Sequence, residues 1–216
     1  GNDLFIPIIG AKVDAHRFID GAFSVGCVAT LTSEHDSMDD PNHAWIRVED
    51  TVLALHEIGK LCRSRVTVPA IGVTGSVGKT TTKEMIAAVL ETKYRTVKTY
   101  KNLNSQIGVA LMMFELDEDT ELAVIEMGIS MPGEMDRLVE MVKPECAVLT
   151  NIGVSHIGNL GSRENICKEV VKDDNYQEAK NLLLKAIEEK ADYNTKNRAI
   201  TQFRIIFCKI SMKELN

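Results

Sequence analysis

The run of apolar and polar positions divides this chain into two α/β blocks followed by a tail of different character. In the first block, residues 4–8 and 27–31 are short apolar runs that predict strands, and residues 15–25 carry apolar side chains at helical spacing. Residues 33–43 are a polar, acidic loop. Residues 44–48 predict another strand, and 49–62 predict a helix whose Val52, Leu53, Leu55, Ile58 and Leu61 make one apolar face. Arg63-Ser-Arg65 interrupts the pattern and marks the expected domain junction. The second block alternates strand (66–74), helix (78–90), strand (123–127), helix (132–142) and strand (147–151). Strands separated by helices predict parallel pairing through right-handed crossovers, with ligand chemistry at the strands' carboxyl ends.

One junction in that alternation carries chemistry. Thr74-Gly-Ser-Val-Gly-Lys-Thr-Thr-Thr82 lies between a predicted strand and a predicted helix, the order of a phosphate-binding loop. Gly75 and Gly78 let the backbone wrap tightly round an anion, Lys79 adds a mobile positive charge, and the Thr80 hydroxyl suits magnesium. The strict spacing of the motif would need a glycine at Val73, so the loop is a variant. A glycine turn that merely caps a helix is the competing reading, and Gly-Lys-Thr in this context favours nucleotide. Glu126 ends an otherwise apolar strand, and His156 follows the strand 147–151. Each has an ordinary alternative, a solvated strand end and a structural histidine. A hydroxyl, a carboxylate and an imidazole at three strand ends would nevertheless converge on one magnesium-phosphate cluster.

Composition narrows the classes further. Among 216 residues, 44% are apolar and 26% charged, enough to bury one sizeable core or two modest ones. A net charge of −6 argues against a general nucleic-acid-binding surface, which needs excess Lys and Arg. The five cysteines are scattered without a C-x-x-C pair, as expected of reduced thiols in a cytoplasm. No apolar stretch has the length of a membrane span and the N-terminus lacks the regions of a secretory signal, so no membrane is expected, and no obligate protein partner is evident. Because the chain starts at Gly1 and enters an apolar run at once, it reads as a fragment whose beginning is missing.

Several linked motifs resemble the ATP-dependent Mur ligases of bacterial peptidoglycan synthesis. They are Thr74-Gly-Ser-Val-Gly-Lys-Thr-Thr81, Lys101-Asn-Leu-Asn-Ser-Gln-Ile-Gly108, Val124-Ile-Glu-Met-Gly-Ile-Ser130 with Gly133-Glu134, and Thr150-Asn-Ile-Gly-Val-Ser-His156. The resemblance runs from about Leu4 to Lys168. Lys83-Glu-Met85, Leu4-Phe-Ile-Pro7 and Asp14-Ala-His-Arg-Phe18 are most similar to the MurF branch, which joins D-alanyl-D-alanine to UDP-N-acetylmuramoyl-tripeptide. The MurE branch, which adds the third amino acid, is the nearest alternative. By this resemblance the fold is α/β: a small N-terminal α/β domain for the UDP-sugar substrate (1–65), then a truncated P-loop parallel-sheet ATPase domain (66–170). The activity implied is transfer of the ATP γ-phosphate to a peptide carboxylate, followed by attack of an amine on the acyl phosphate in the bacterial cytoplasm. Gly75, Ser76, Gly78, Lys79, Thr80 and Thr81 would hold ATP, and Thr80, Glu126 and His156 would bind Mg2+. Lys79, Glu126 and His156 would carry the catalysis, whereas Asn102 and Asn104 would face the substrate.

Two departures accompany the resemblance. Mur ligases place a carbamylated lysine in the helix after the His156 loop, and Val170 falls at that position, with Lys168 and Lys172 on other faces. The family's C-terminal domain, which orients the incoming amine, does not fit into what remains of the 216 residues after Lys168. The chain is therefore expected to be poorly active, and a remnant that binds nucleotide without turnover is the alternative of a different class. An unrelated P-loop ATPase would leave the Asn-rich, Glu126 and His156 segments without a reason. From residue 171 onward no family resemblance is read. Residues 175–190 predict an amphipathic helix, 191–198 are turn-like and 203–210 predict a strand.

Overall fold

The computed structural model describes residues 2–35, 40–170 and 206–209. The predicted tail helix 175–190, the turn 191–198 and Lys172 lie outside the described residues, as do 36–39 of the acidic loop. The chain forms two compact units, Gly1–Ile58 and Gly59–Asn216, so the division falls seven residues before the expected boundary at 65, inside a helix.

In the first unit, β1 (Asp3–Phe5), β2 (Cys27–Thr32) and β3 (Ala44–Arg47) make a parallel sheet in the order β1-β2-β3. Strand β1 stops short of the predicted 4–8, and Pro7 has no N–H to extend a ladder. The predicted helix 15–25 is broken into a 3-10 turn, Ala15–Phe18, and a short α1, Ile19–Ser24. Asp14 opens this turn by accepting from the His16 N–H at 2.9 Å and pairing with His16 Nδ1 at 2.7 Å. The Ser33 N–H donates to His16 Nε2 at 3.1 Å, so the ring carries its proton on Nδ1 and both nitrogens are engaged.

Helix α2, Thr51–Ser64, starts where Asp50 accepts from the N–H groups of Val52 and Leu53. Its buried positions are Thr51, Leu55, His56, Gly59 and Arg63, whereas Leu53 and Leu61 of the predicted apolar face are 48% and 52% exposed. Gly59 explains part of this shift. A Cβ there would lie 3.2 Å from Met141 Sδ and 3.3 Å from the Ala110 backbone, so the missing side chain admits two neighbouring helices.

The second unit holds a five-stranded sheet in the order β5-β6-β4-β7-β8. Strands β4 (Ala70–Thr74), β5 (Thr96–Lys98), β6 (Leu122–Glu126) and β7 (Cys146–Leu149) are parallel, as the alternation predicts, and β8 (Ile206–Lys209) runs antiparallel to β7. Strand β8 lies within the predicted strand 203–210 and brings part of the tail into this sheet. Helices α3 (Lys79–Leu90) and α5 (Glu134–Val142) follow the pattern, and a single turn, α6 (Ile157–Leu160), and a further helix, α7 (Arg163–Val170), come after its last strand. Val73, Ala87, Val124 and Val148 form a core between the central strands and α3. A second cluster, Leu149, Ile152, Leu160, Ile166 and Cys167, seats α6 and α7.

Within the predicted alternation, two elements were not expected from the sequence. Strand β5 has only three residues, too few for a period to register. Helix α4, Gln106–Phe114, hides in a motif read for its asparagines, although Ser105 is an N-cap that accepts from the Gly108 N–H. Glycine is needed at 108 because a Cβ would stand 2.5 Å from the Leu103 backbone.

At the start of α5, Glu134 folds back on the preceding turn and accepts from the N–H groups of Ser130 and Met131 and from Gln106 Nε2. Burial works against its charge, yet these donors together hold its carboxyl below the ordinary value of 4.5. A depressed folded pKa contributes stability that is complete above the unfolded value and is lost as pH falls through the folded one. Glu134→Gln is therefore expected to cost about 1 kcal/mol at pH 7, after allowance for solvent screening. Chemical denaturation from pH 7 to pH 3 should show parent and variant converging below about pH 4.5. A gap that stayed constant over that range would count against the assignment.

Candidate functional site

The carboxyl ends of β4, β6 and β7 meet at the segment between β4 and α3. Gly75 has φ 128° and Gly78 has φ 84°, conformations that a side chain would strain. A Cβ on Gly75 would also lie 2.2 Å from Thr150 Oγ1. The loop is braced from the β7 end at several points. Asn151 accepts from the Ser76 N–H through its backbone carbonyl at 3.1 Å and from the Val77 N–H through Oδ1 at 2.9 Å. Thr150 Oγ1 donates to the Val77 carbonyl at 2.7 Å, and Ser76 Oγ accepts from the Gly153 N–H at 2.8 Å. Ser155 Oγ donates to the Ser76 carbonyl at 3.0 Å. Two loop amides are thus committed to bracing. The first N–H groups of α3, at Lys79, Thr80 and Thr81, have no acceptor within the helix and form its positive end.

Lys79 is half-buried, and in this state its Nζ donates to the Gly75 carbonyl at 2.8 Å across the loop. Burial pulls its pKa below the ordinary lysine value and the nearby Glu126 charge pulls it back. Thr80 Oγ1 and Glu126 Oε1 are 3.2 Å apart. Asn104 Nδ2 donates to the same Oε1 at 2.7 Å, while the Asn104 carbonyl accepts from the Gly128 N–H. Glu126 is 1% exposed, and its Oε2 has no hydrogen-bond partner. Oxygen donors of this kind, one of them buried with lone pairs to spare, fit a magnesium ion that takes oxygen ligands and keeps several waters. Thr80 and Glu126 are the residues here that could hold it.

The predicted site residues are therefore assembled in two groups. Thr80, Glu126 and Asn104 touch one another, so Asn104 is tied to the carboxylate rather than held out towards a substrate. Asn102 is exposed in the turn before α4, and Thr81 is exposed on the first turn of α3. His156, with φ 58°, is exposed at the start of α6, and its side chain lines a small cavity with Gly75, Ser76, Lys79, Leu160 and Val170. Among the described residues, no hydrogen bond joins it to Thr80 or Glu126. Val170 sits on α7, which Glu169 fastens to α5 by accepting from the N–H groups of Gly133 and Met135 at 2.8 and 3.2 Å. The position read from sequence as a missing lysine thus faces the same cavity as Lys79 and His156.

Several residues around the site were given no role of their own by the sequence. Lys83 is buried beside Glu126, and Thr99 Oγ1 accepts from the Glu126 N–H at 2.8 Å. Asn151 and Thr150 shape the loop between β4 and α3 although they lie more than seventy residues away in the chain. Only their place beside His156 in one motif could have drawn attention to them.

Residues 73–210 match the family model of the Mur ligase middle domain. That match continues past residue 170, where the sequence reading ends the resemblance. The chain is 47% identical over 167 residues to the UDP-N-acetylmuramoyl-tripeptide–D-alanyl-D-alanine ligase of Bacillus subtilis, covering 77% of this chain and 36% of that protein. The protein of the same name from Treponema pallidum is 39% identical over 176 residues, covering 77% and 38%. Among solved structures, MurF from Acinetobacter baumannii superposes with a TM-score of 0.72 at 36% identity, over 77% of this chain and 36% of that one. MurF ligase from Thermotoga maritima in complex with ADP gives a TM-score of 0.71 at 32% identity, over 79% and 40%. The chain spans little more than a third of the length of the curated relatives it matches.

Proposed function

The chain belongs to the Mur ligase family through its middle domain, and from that premise we propose that its second unit is the ATP-binding portion of a ligase that adds D-alanyl-D-alanine to UDP-N-acetylmuramoyl-tripeptide. The observation that carries the reading is the contact between Thr80 of the phosphate loop and Glu126 at the end of β6, with Lys79 beside them. It is supported by the names of the relatives and by the ADP complex of the Thermotoga maritima structure. The N–H groups at the start of α3 and the Lys79 ammonium would hold the phosphates, for which Lys79 would leave the Gly75 carbonyl. Magnesium bound by Thr80 and Glu126 would neutralise phosphate charge. Asn104 and Thr99 keep Glu126 turned towards Thr80, and His156 would face the transferred group from the cavity it shares with Lys79. UDP-N-acetylmuramoyl-tripeptide would engage the first unit. Cys27, Cys62, Cys146 and Cys167 form no disulfide among the described residues, which suits a bacterial cytoplasm. No helix among the described residues is long and apolar enough to cross a membrane.

Val170 favours a second reading for this particular chain, binding without turnover. It brings an apolar side chain into the cavity where the family resemblance calls for a carbamylated lysine. Phosphate release measured with ATP, Mg2+, UDP-N-acetylmuramoyl-tripeptide and D-alanyl-D-alanine, next to calorimetric titration with ADP and Mg2+, separates the two. Binding with substrate-dependent release supports the ligase, and binding without release supports the second reading. Absence of nucleotide binding by the folded chain would overturn both.

A further inference from the structure

Lys83 has no part in the scheme above, yet among the described residues it is the bulkiest side chain that is buried almost completely, at 1% exposure. A buried ammonium is costly unless it is paired and hydrogen-bonded, so a lysine in this place calls for a reason beyond filling space. Its Nζ donates to the Thr99 carbonyl at 2.6 Å and meets Glu84 Oε1 at 2.9 Å. Glu84 lies at the surface and is also engaged by Lys98 at 2.9 Å. The remaining neighbour is Glu126 Oε2, 3.9 Å away.

That distance is informative. It is close enough for attraction between opposite charges out of contact with water, but too long for a hydrogen bond. Lys83 therefore counterbalances the carboxylate without occupying the lone pairs of Oε2, the oxygen that lacks a hydrogen-bond partner. Thr99 reinforces the geometry: its carbonyl accepts a hydrogen bond from the Lys83 ammonium and its hydroxyl oxygen accepts one from the Glu126 N–H. A second cation competes for Glu126, because Lys79 feels its charge.

We infer that Lys83 is a positioning residue, a buried counter-charge that holds Glu126 towards Thr80 and away from Lys79, leaving the carboxylate free for a magnesium ion and the phosphate-loop lysine free for the nucleotide. The inference rests on the nucleotide-binding reading proposed above. Without Lys83, the buried carboxylate loses its counter-charge, and the charge of Lys79, which already feels Glu126, is left to draw it from Thr80.

The test compares ADP affinity with and without Mg2+ in the parent chain and in Lys83→Gln, which can still donate to the Thr99 carbonyl but carries no charge. The factor by which Mg2+ strengthens ADP binding should fall about tenfold in Lys83→Gln. A purely structural role, fastening α3 to Thr99, would leave that factor unchanged, and this result would overturn the inference. A metal-free measurement accompanies it. In EDTA, the double variant Lys83→Met/Glu126→Gln should melt at a higher temperature than Lys83→Met, because the second change removes the stranded carboxylate. A double variant no more stable than the single one would also overturn it. If the parent binds ADP neither with nor without Mg2+, the nucleotide-binding reading fails and this inference falls with it. Mg2+-enhanced binding that survives in Lys83→Gln sinks the inference alone.

Discussion

Lys79→Met is expected to weaken ADP binding by about ten- to a hundredfold in the presence of Mg2+ while leaving the fold intact. The side chain is the only lysine or arginine from Thr74 to Thr82, and its Nζ already reaches across to the Gly75 carbonyl. A charge-assisted hydrogen bond is worth roughly 1.5–3 kcal/mol, which corresponds to that range of affinity. Met keeps the length and the apolar stem of lysine, so the packing of a half-buried side chain changes little. Calorimetric titration gives the affinity, and circular dichroism verifies that the variant is folded. Unchanged affinity in a folded variant would remove Lys79 from the site and leave the helix terminus to hold phosphate by itself.

The largest loss of stability is expected at Arg63. Its guanidinium is buried and donates from Nε to the Val142 carbonyl at 2.8 Å, from Nη1 to Val66 at 3.1 Å and from Nη2 to Val68 at 2.6 Å. One side chain thus joins the end of α2, the approach to β4 and the end of α5. Arg63→Ala removes all three donors, leaves buried carbonyls without partners and opens a cavity, for a cost of about 3 kcal/mol or more. Arg63→Lys should recover only part of it, since a point charge cannot match a planar fork with fixed directions. Urea denaturation of the three proteins provides the comparison. A loss below about 1 kcal/mol in Arg63→Ala would show that water or neighbouring groups take over these carbonyls.

Arg63 also shows where sequence reading falls short. Flanked by Ser64 and Arg65, it looks like a polar break between domains, and only the carbonyls converging from three segments make it a buried anchor. The same holds for the apolar face of α2. Counting hydrophobic residues selects Leu53 and Leu61, whereas the helix buries Gly59 because two other helices approach it there. Helical spacing identifies which residues share a face, but the neighbours decide which face is covered.

What the sequence by itself determined was local or repeated along the chain. The order strand, loop, helix around Gly75, Gly78 and Lys79 is written in adjacent residues, because positive φ, a free helix terminus and a lysine in the first turn need no distant partner. The parallel arrangement of β4, β6 and β7 follows from the alternation of apolar runs with helices. Tertiary structure decided which side chains meet at the strand ends. It tied Asn104 to Glu126, set Lys83 beside that carboxylate, braced the loop between β4 and α3 with Asn151 and turned Val170 into the cavity of Lys79 and His156. These contacts join residues from separate segments, and their strength depends on burial and direction at the meeting point. A linear pattern of polar and apolar residues contains neither quantity.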